Sequence, residues 1–165
     1  MHTGREARGH GSREDSFTLF ARDSQDPIRH ALTAGFGVEV GRDAAEEALV
    51  HAWRHWDRVG AMRNPAGYVY RVGHRMAQKM SKASRRPVVV PPAPALNPAH
   101  VEPGLPGALA ALSPKQRAVV VVVHGHGLSE REAAELLGIS RSSVRRHAER
   151  AIAGLRRTMG VTLDA

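Results

Sequence analysis

Residues 129–152 read SEREAAELLGISRSSVRRHAERAI, and their spacing decides what the C-terminal third of the chain is. Ser129 with Glu132 three residues on forms a capping box. The serine accepts from the backbone of the third helical residue, and the glutamate reaches back to the cap. A short helix is predicted to about Leu136, with Gly138 as the left-handed residue that ends it. Ser140 stands where it can cap a second helix. Small Ala134, four residues before Gly138, lets the two helices cross closely, and Ile139 and Val144 point back into the angle between them. The pattern is that of a helix-turn-helix, whose second helix enters a major groove.

The second helix separates into two faces at about 100° per residue. Val144, Ala148, Ala151, Ile152 and Leu155 fall on one side. Ser142, Arg145, Arg146, Glu149, Arg150, Arg156 and Arg157 fall on the other, with Arg141 and Ser143 in the first turn. Arginine beside the positive end of a helix dipole is mildly unfavourable unless an anion is near. Arginine pairs bidentately with guanine edges or phosphates, and serine reaches either. A DNA partner therefore accounts for the composition of this face.

The whole chain has the same bias. Its 165 residues carry 24 Lys and Arg against 16 Asp and Glu, a net charge of +8, which favours a polyanionic partner. Residues 1–15 hold three glycines and six charges that cancel, and are expected to be a disordered tail. Residues 16–86 hold every aromatic residue and carry net +5; residues 108–165 carry net +4. Between the two, residues 87–107 contain seven prolines and two glycines and are expected to form an extended linker. The expected fold is all-α: two small helical domains (16–86 and 108–160) joined by a Pro-rich linker, the second containing the helix-turn-helix.

Asn64-Pro65 sets a cap and a first-turn proline for a helix running to about Arg86. Ser113-Pro114 does the same for a helix through AVVVVVH, residues 118–124, despite the β-propensity of valine. In DAAEEALVHAWRHW (43–56), Ala45, Leu49, Ala52, Trp53 and Trp56 make an apolar stripe at helical spacing, while Asp43, Glu46 and Glu47 lie outward. The segment NPAGYVYRVGHRMAQKMSKASRR (64–86) places Tyr68, Tyr70, Arg71, His74, Arg75, Gln78, Lys79 and Lys82 on a basic helix with aromatics near its start. Basic charge with stacking rings suits single-stranded nucleic acid.

These segments together resemble the bacterial RNA polymerase sigma factors of the small, extracytoplasmic-function (ECF) type, within the sigma-70 family. The resemblance covers about residues 16–86 and 108–158. DAAEEALVHAWRHW is similar to the family's polymerase-core-binding helix, which implies that Asp43, Glu46 and Glu47 meet the clamp helices of the β′ subunit. NPAGYVYRVGHRMAQK is similar to the segment that melts and reads the downstream promoter element. That implies contacts from Tyr68, Tyr70, Arg71, His74, Arg75, Gln78 and Lys79. The stretch from Leu112, with its opening L-x-P-x-Q-R, is similar to the family's C-terminal domain. Arg141, Ser142, Ser143, Arg145, Arg146, His147 and Arg150 then fall at upstream-element contacts. The implied partners are the polymerase core (β′ clamp helices and β flap), promoter DNA and an anti-sigma factor.

Four positions in the first domain depart from the family pattern. The common glutamine and aromatic of the core-binding helix are Glu46 and Leu49; the usual asparagine and aspartate of the melting segment are Arg75 and Lys79. Two cations there favour phosphate contact over base reading.

Other chemistries find little support. Cysteine is absent, so disulfides, thiolate metal sites and cysteine nucleophiles are excluded. His51 and His55 are spaced i, i+4, but the glutamate of a zinc hydrolase is missing between them, and no metal is expected there or at His124 and His126. There is no phosphate-cradling glycine loop and no serine nucleophile elbow, so neither catalysis nor a cofactor is expected. The polar N-terminus is unlike a secretory signal, and the cytoplasm is the expected location. Two other readings fit the residues: a sigma-like accessory protein that docks on polymerase without opening promoters, and a plain helix-turn-helix regulator.

Overall fold

The computed structural model describes residues 6–83 and 102–160, with side chains from Gly11 onward. Every element among them is helical: α1 (Glu6–Phe36), α2 (Val38–Arg54), α3 (Trp56–Val59), α4 (Pro65–Ala83), α5 (Leu105–Ala110), α6 (Pro114–Val120), a π turn (Val121–Gly125), α7 (Glu130–Leu137) and α8 (Arg141–Met159).

Small residues set the geometry of the N-terminal module. Gly37, at φ 89°, turns α1 into α2. One turn later Gly41 lies directly against the main chain of Leu32 and Thr33, closer than any Cβ could come. Ala44, Ala45, Ala48 and Ala52 continue the buried line on α2. Gly67, Gly73 and Ala77 continue it on α4, where Gly73 receives the Leu32 side chain. With side chains this short, three helices pack close together around Ile28, Leu32, Val59 and Val69, all fully buried. At the far end Phe17 and Phe20 pack on Trp56, with ring centroids 5.1 and 4.9 Å away, and Trp56 Nε1 donates to Ser16 Oγ at 2.7 Å.

The N-terminal end of α1 departs from the expected disordered tail. The helix begins at Glu6, inside the 1–15 segment. Arg13 accounts for its docking: its guanidinium lies 4.6 Å from the Trp53 ring centroid, donates to the Trp53 carbonyl at 2.6 Å and pairs with Asp57 at 3.4 Å. The three contacts offset the entropy of ordering the segment.

In the C-terminal module α5 starts at Leu105, so its first three residues lie in the stretch expected to be linker; residues 87–101 of that stretch, and the expected end of α4 at Arg86, lie outside the described residues. Leu109 and Leu112 pack with Val120 against Ala151 and Leu155 of α8. The L-x-P-x-Q-R segment has a structural role. Ser113 and Gln116 form a reciprocal capping box at 3.3 and 3.0 Å. Arg117, buried at 4% exposure, braces the preceding turn by donating to the Leu112 carbonyl at 3.2 Å. The valine run is helical, as its cap predicts. From Val121 the ladder widens, and His126 N–H donates to the Val121 carbonyl at 3.1 Å, five residues back.

The two modules pack against each other through a shared core. Ile28, Leu32 and Val69 cluster with Val119, Val122, Leu136 and Val144. Helix α1 packs on α6 and the π turn, and α4 packs on α7. Asn64 ties the two together. Its Oδ1 accepts from Gly67 N–H at 2.8 Å, capping α4, while its Nδ2 donates to the Glu135 carbonyl on α7 at 2.8 Å. A Cβ on Gly67 would sit 2.6 Å from that same carbonyl oxygen, so glycine is what lets α7 approach.

Candidate nucleic-acid interface

The helix-turn-helix is built by local rules that the residues state plainly. Ser129 Oγ accepts from Glu132 N–H at 3.2 Å and Glu132 accepts from Ser129 N–H at 2.9 Å. Gly138 takes φ 67°, the left-handed region that glycine enters without strain, and its N–H donates to the Ala134 carbonyl at 3.0 Å. Ser140 Oγ then accepts from Ser143 N–H at 3.1 Å and starts α8. Val144 is fully buried and Ala151 with it, which fixes which side of α8 faces outward.

That outward side carries Arg141, Ser142, Arg145, Arg146 and Arg150, all exposed, with Ser143 and His147 half-buried beside them. Arg145 is held in a forked pair with Glu130 across the α7–α8 angle, with both contacts at 3.3 Å. The arginine hydrogen bond holds the Glu130 carboxyl below its usual range. Arg146 leans back on Ser143 Oγ at 3.3 Å. His147 is pushed below its usual value by burial and then by Arg146, so it presents a neutral ring between arginines near neutrality.

On α4 the candidates divide by face. Arg71, Arg75, Gln78 and Lys79 are exposed, and Lys82 follows them in the last turn. Tyr68 is half-exposed. Tyr70 is a correction: at 7% exposure it belongs to the shared core, and burial pushes its hydroxyl up to about 12. It cannot stack on a base here. His74 is half-buried too, edge-on to Phe36 with centroids 5.0 Å apart.

Around Tyr68 the structure gathers a group that sequence spacing alone did not assemble. The Tyr68 hydroxyl lies 3.2 Å from His51 Nε2 and 3.5 Å from Arg58 Nη2, and the His51 and His55 rings are 4.7 Å apart. His51 and His55 were visible as an i, i+4 pair, but their nearness to Tyr68 depends on how α2 meets α4. Asp43, Glu46 and Glu47 stand exposed on α2, with Arg42 3.9 Å from Glu46.

An all-helical body with a capped helix-turn-helix and a second basic helix is the architecture of a DNA-binding protein. The family described as "Sigma-70, region 4" matches residues 105–155, which spans α5 to α8. Across 150 residues the chain is 31% identical to the RNA polymerase sigma-E factor of Streptomyces avermitilis, covering 85% of this chain and 83% of that protein. Its fold is like that of the sigma factor RpoE of Bartonella quintana, solved with the anti-sigma factor NepR. The TM-score is 0.63 at 19% identity, covering 89% of this chain and 98% of that one. The chain belongs to the RNA polymerase sigma factors, of the extracytoplasmic-function type. No helix among the described residues is long and apolar enough to cross a membrane.

Proposed function

We propose that the chain binds the polymerase core through Asp43, Glu46 and Glu47 on α2, against the β′ clamp helices, and directs the enzyme to promoters through α8 and α4. Arg141, Ser142, Ser143, Arg145, Arg146, His147 and Arg150 take the upstream duplex. Tyr68, Arg71, His74, Arg75, Gln78 and Lys79 serve the opened strand, with Tyr70 reassigned to holding α4 in place. A groove of about 570 Å³ beside α8, floored by Val144, Ala148 and Ile152, gives the β flap an apolar seat. The chain contributes no chemistry of its own, acts in the cytoplasm, and answers to an anti-sigma factor such as the one bound by its Bartonella structural relative. The observation that carries this reading is the doubly capped helix-turn-helix with its buried valine and outward arginines.

Reversing the acidic group with Asp43→Lys, Glu46→Lys and Glu47→Lys tests the core contact. All three side chains are exposed, so the fold should keep its thermal midpoint. Affinity for the core should fall roughly 100-fold, because like charges would meet across the interface. Pull-down of purified core on the immobilised variant measures it; undiminished binding overturns the assignment.

Arg75 and Lys79, both exposed, supply charge where a base-reading site needs directed polar groups. Binding of the holoenzyme to forked promoter DNA should therefore discriminate weakly between downstream-element sequences, within about tenfold, the effect of about 1.4 kcal/mol. Discrimination of a hundredfold would reject relaxed reading.

A further inference from the structure

The seam between the two modules carries a partly buried histidine from each of three segments: His30 on α1, His74 on α4 and His126 just after the π turn. His30 Nδ1 and His126 Nε2 lie 2.6 Å apart, and their rings stack with centroids 4.7 Å apart and planes 19° from parallel. At that distance one neutral ring donates to the other. Two imidazolium rings would set two N–H groups against each other, with no acceptor between them.

The surroundings offer little to hold extra protons. Asp26 faces both rings, but its carboxylate is already paired with Arg29 at 2.7 Å. His74 is flanked by Phe36 and Tyr70, and the charged group facing it from the other module is Lys115 of α6. We propose that protonation of this histidine set releases the seam, so that the packed arrangement of the two modules is a resting form opened by acid. The release follows from the geometry of the seam alone. Its use, freeing α4 from α7 so that each can engage DNA separately, rests on the function proposed above.

The direction follows from linkage. Burial, then His126 and Arg29, push His30 down from 6.5 to about 4, against a smaller opposing pull from Asp26. Burial also lowers His126, against Asp26, and burial with Lys115 lowers His74. Separation of the modules removes His126 from His30, Lys115 from His74 and the part of each ring's burial that the other module supplies, while Arg29 stays beside His30 and Phe36 and Tyr70 stay beside His74, so each ring moves back toward 6.5. The open form therefore binds more protons than the packed form, and packing is lost as pH falls below 6.5 toward 4. His30 alone shifts the open-to-packed ratio by up to about tenfold between pH 7.5 and 5.5, and the other two act in the same direction.

The absence of cysteine makes the test direct. Glu14→Cys on α1 and Thr158→Cys on α8, both exposed positions, take a donor and an acceptor dye on the full chain without DNA or polymerase. Between pH 7.5 and 5.5 at constant ionic strength, the open-to-packed ratio should rise tenfold or more, while circular dichroism shows helix content unchanged. With His30→Gln and His126→Gln added, most of that response should disappear. Constant transfer, helix loss in step with transfer, or a full response in the glutamine variant would each overturn the proposal. If that variant does not fold, the histidine proton resonances of the native chain decide: His30 and His126 titrating near 6.5 in the packed form would overturn it. The measurement involves no promoter or core enzyme, so its failure is distinct from a failure of the sigma-factor assignment.

Discussion

Gly41→Ala is expected to lower the thermal midpoint of the chain by about 10 °C, the equivalent of about 3 kcal/mol for a protein of this size. The added methyl would meet main-chain atoms of Leu32 and Thr33. No side-chain rotamer can relieve that overlap, so α1 and α2 must move apart. The movement would loosen Ala44, Ala45 and Ala48, which are buried to within 1% behind the crossing, and the Leu32 side chain that fills the space at Gly73. Gly107→Ala supplies the control. It lies within α5, has nothing within 4 Å of the added carbon, and should gain about 0.5–1 kcal/mol from the restricted unfolded chain. Thermal melts followed at the helix band compare the two. Equal midpoints for Gly41→Ala and the native chain would mean that the helices do not cross at Gly41.

The second large effect is expected on promoter binding. Arg141→Ala, Arg146→Ala and Arg150→Ala together remove three exposed cations from the outward face of α8 while leaving Val144 and Ala151 buried. If the three meet phosphates, the slope of log affinity against log salt should become shallower by about 3. Affinity of the holoenzyme for promoter DNA near physiological salt should fall by roughly 100- to 1,000-fold. Filter binding across a salt series reads both quantities. Arg145 is left in place because its fork with Glu130 also braces α7 against α8, and its loss would mix a structural effect with a binding one. An unchanged slope would place these side chains away from the DNA backbone.

What the residues disclosed in advance is what local rules govern. The caps at Ser113, Ser129 and Ser140, the left-handed Gly138 and the Asn64-Pro65 start are decided within four residues of themselves, and each forms as its spacing predicts. The cap at Ser113 also outweighed valine's preference for strands. The widening at Val121 carries no comparable mark. Tyr70 shows a different limit. It shares a residue type and a helix with Tyr68, but two residues turn the helix by about 200°, so one ring faces outward and the other enters the core. Grouping by chemistry hid a distinction that helical angle makes. The seam was beyond reach of any local pattern, because it joins His30 to a residue 96 positions away. The same holds for Arg13, whose partners at Trp53 and Asp57 turn an apparently featureless polar segment into helix.

The separation of the seam's two sides along the chain also sets an order of events during synthesis. The described part of α4 runs to Ala83, and His126 emerges from the ribosome more than forty residues later. At ordinary elongation speeds that interval lasts roughly 2 to 9 s, far longer than helices need to form and collapse. The strip of α1 that packs on α6 is therefore uncovered in every newborn chain before its own second half arrives to cover it. Any protein able to hold the first module open has its best opportunity in those seconds, before the intramolecular competitor exists.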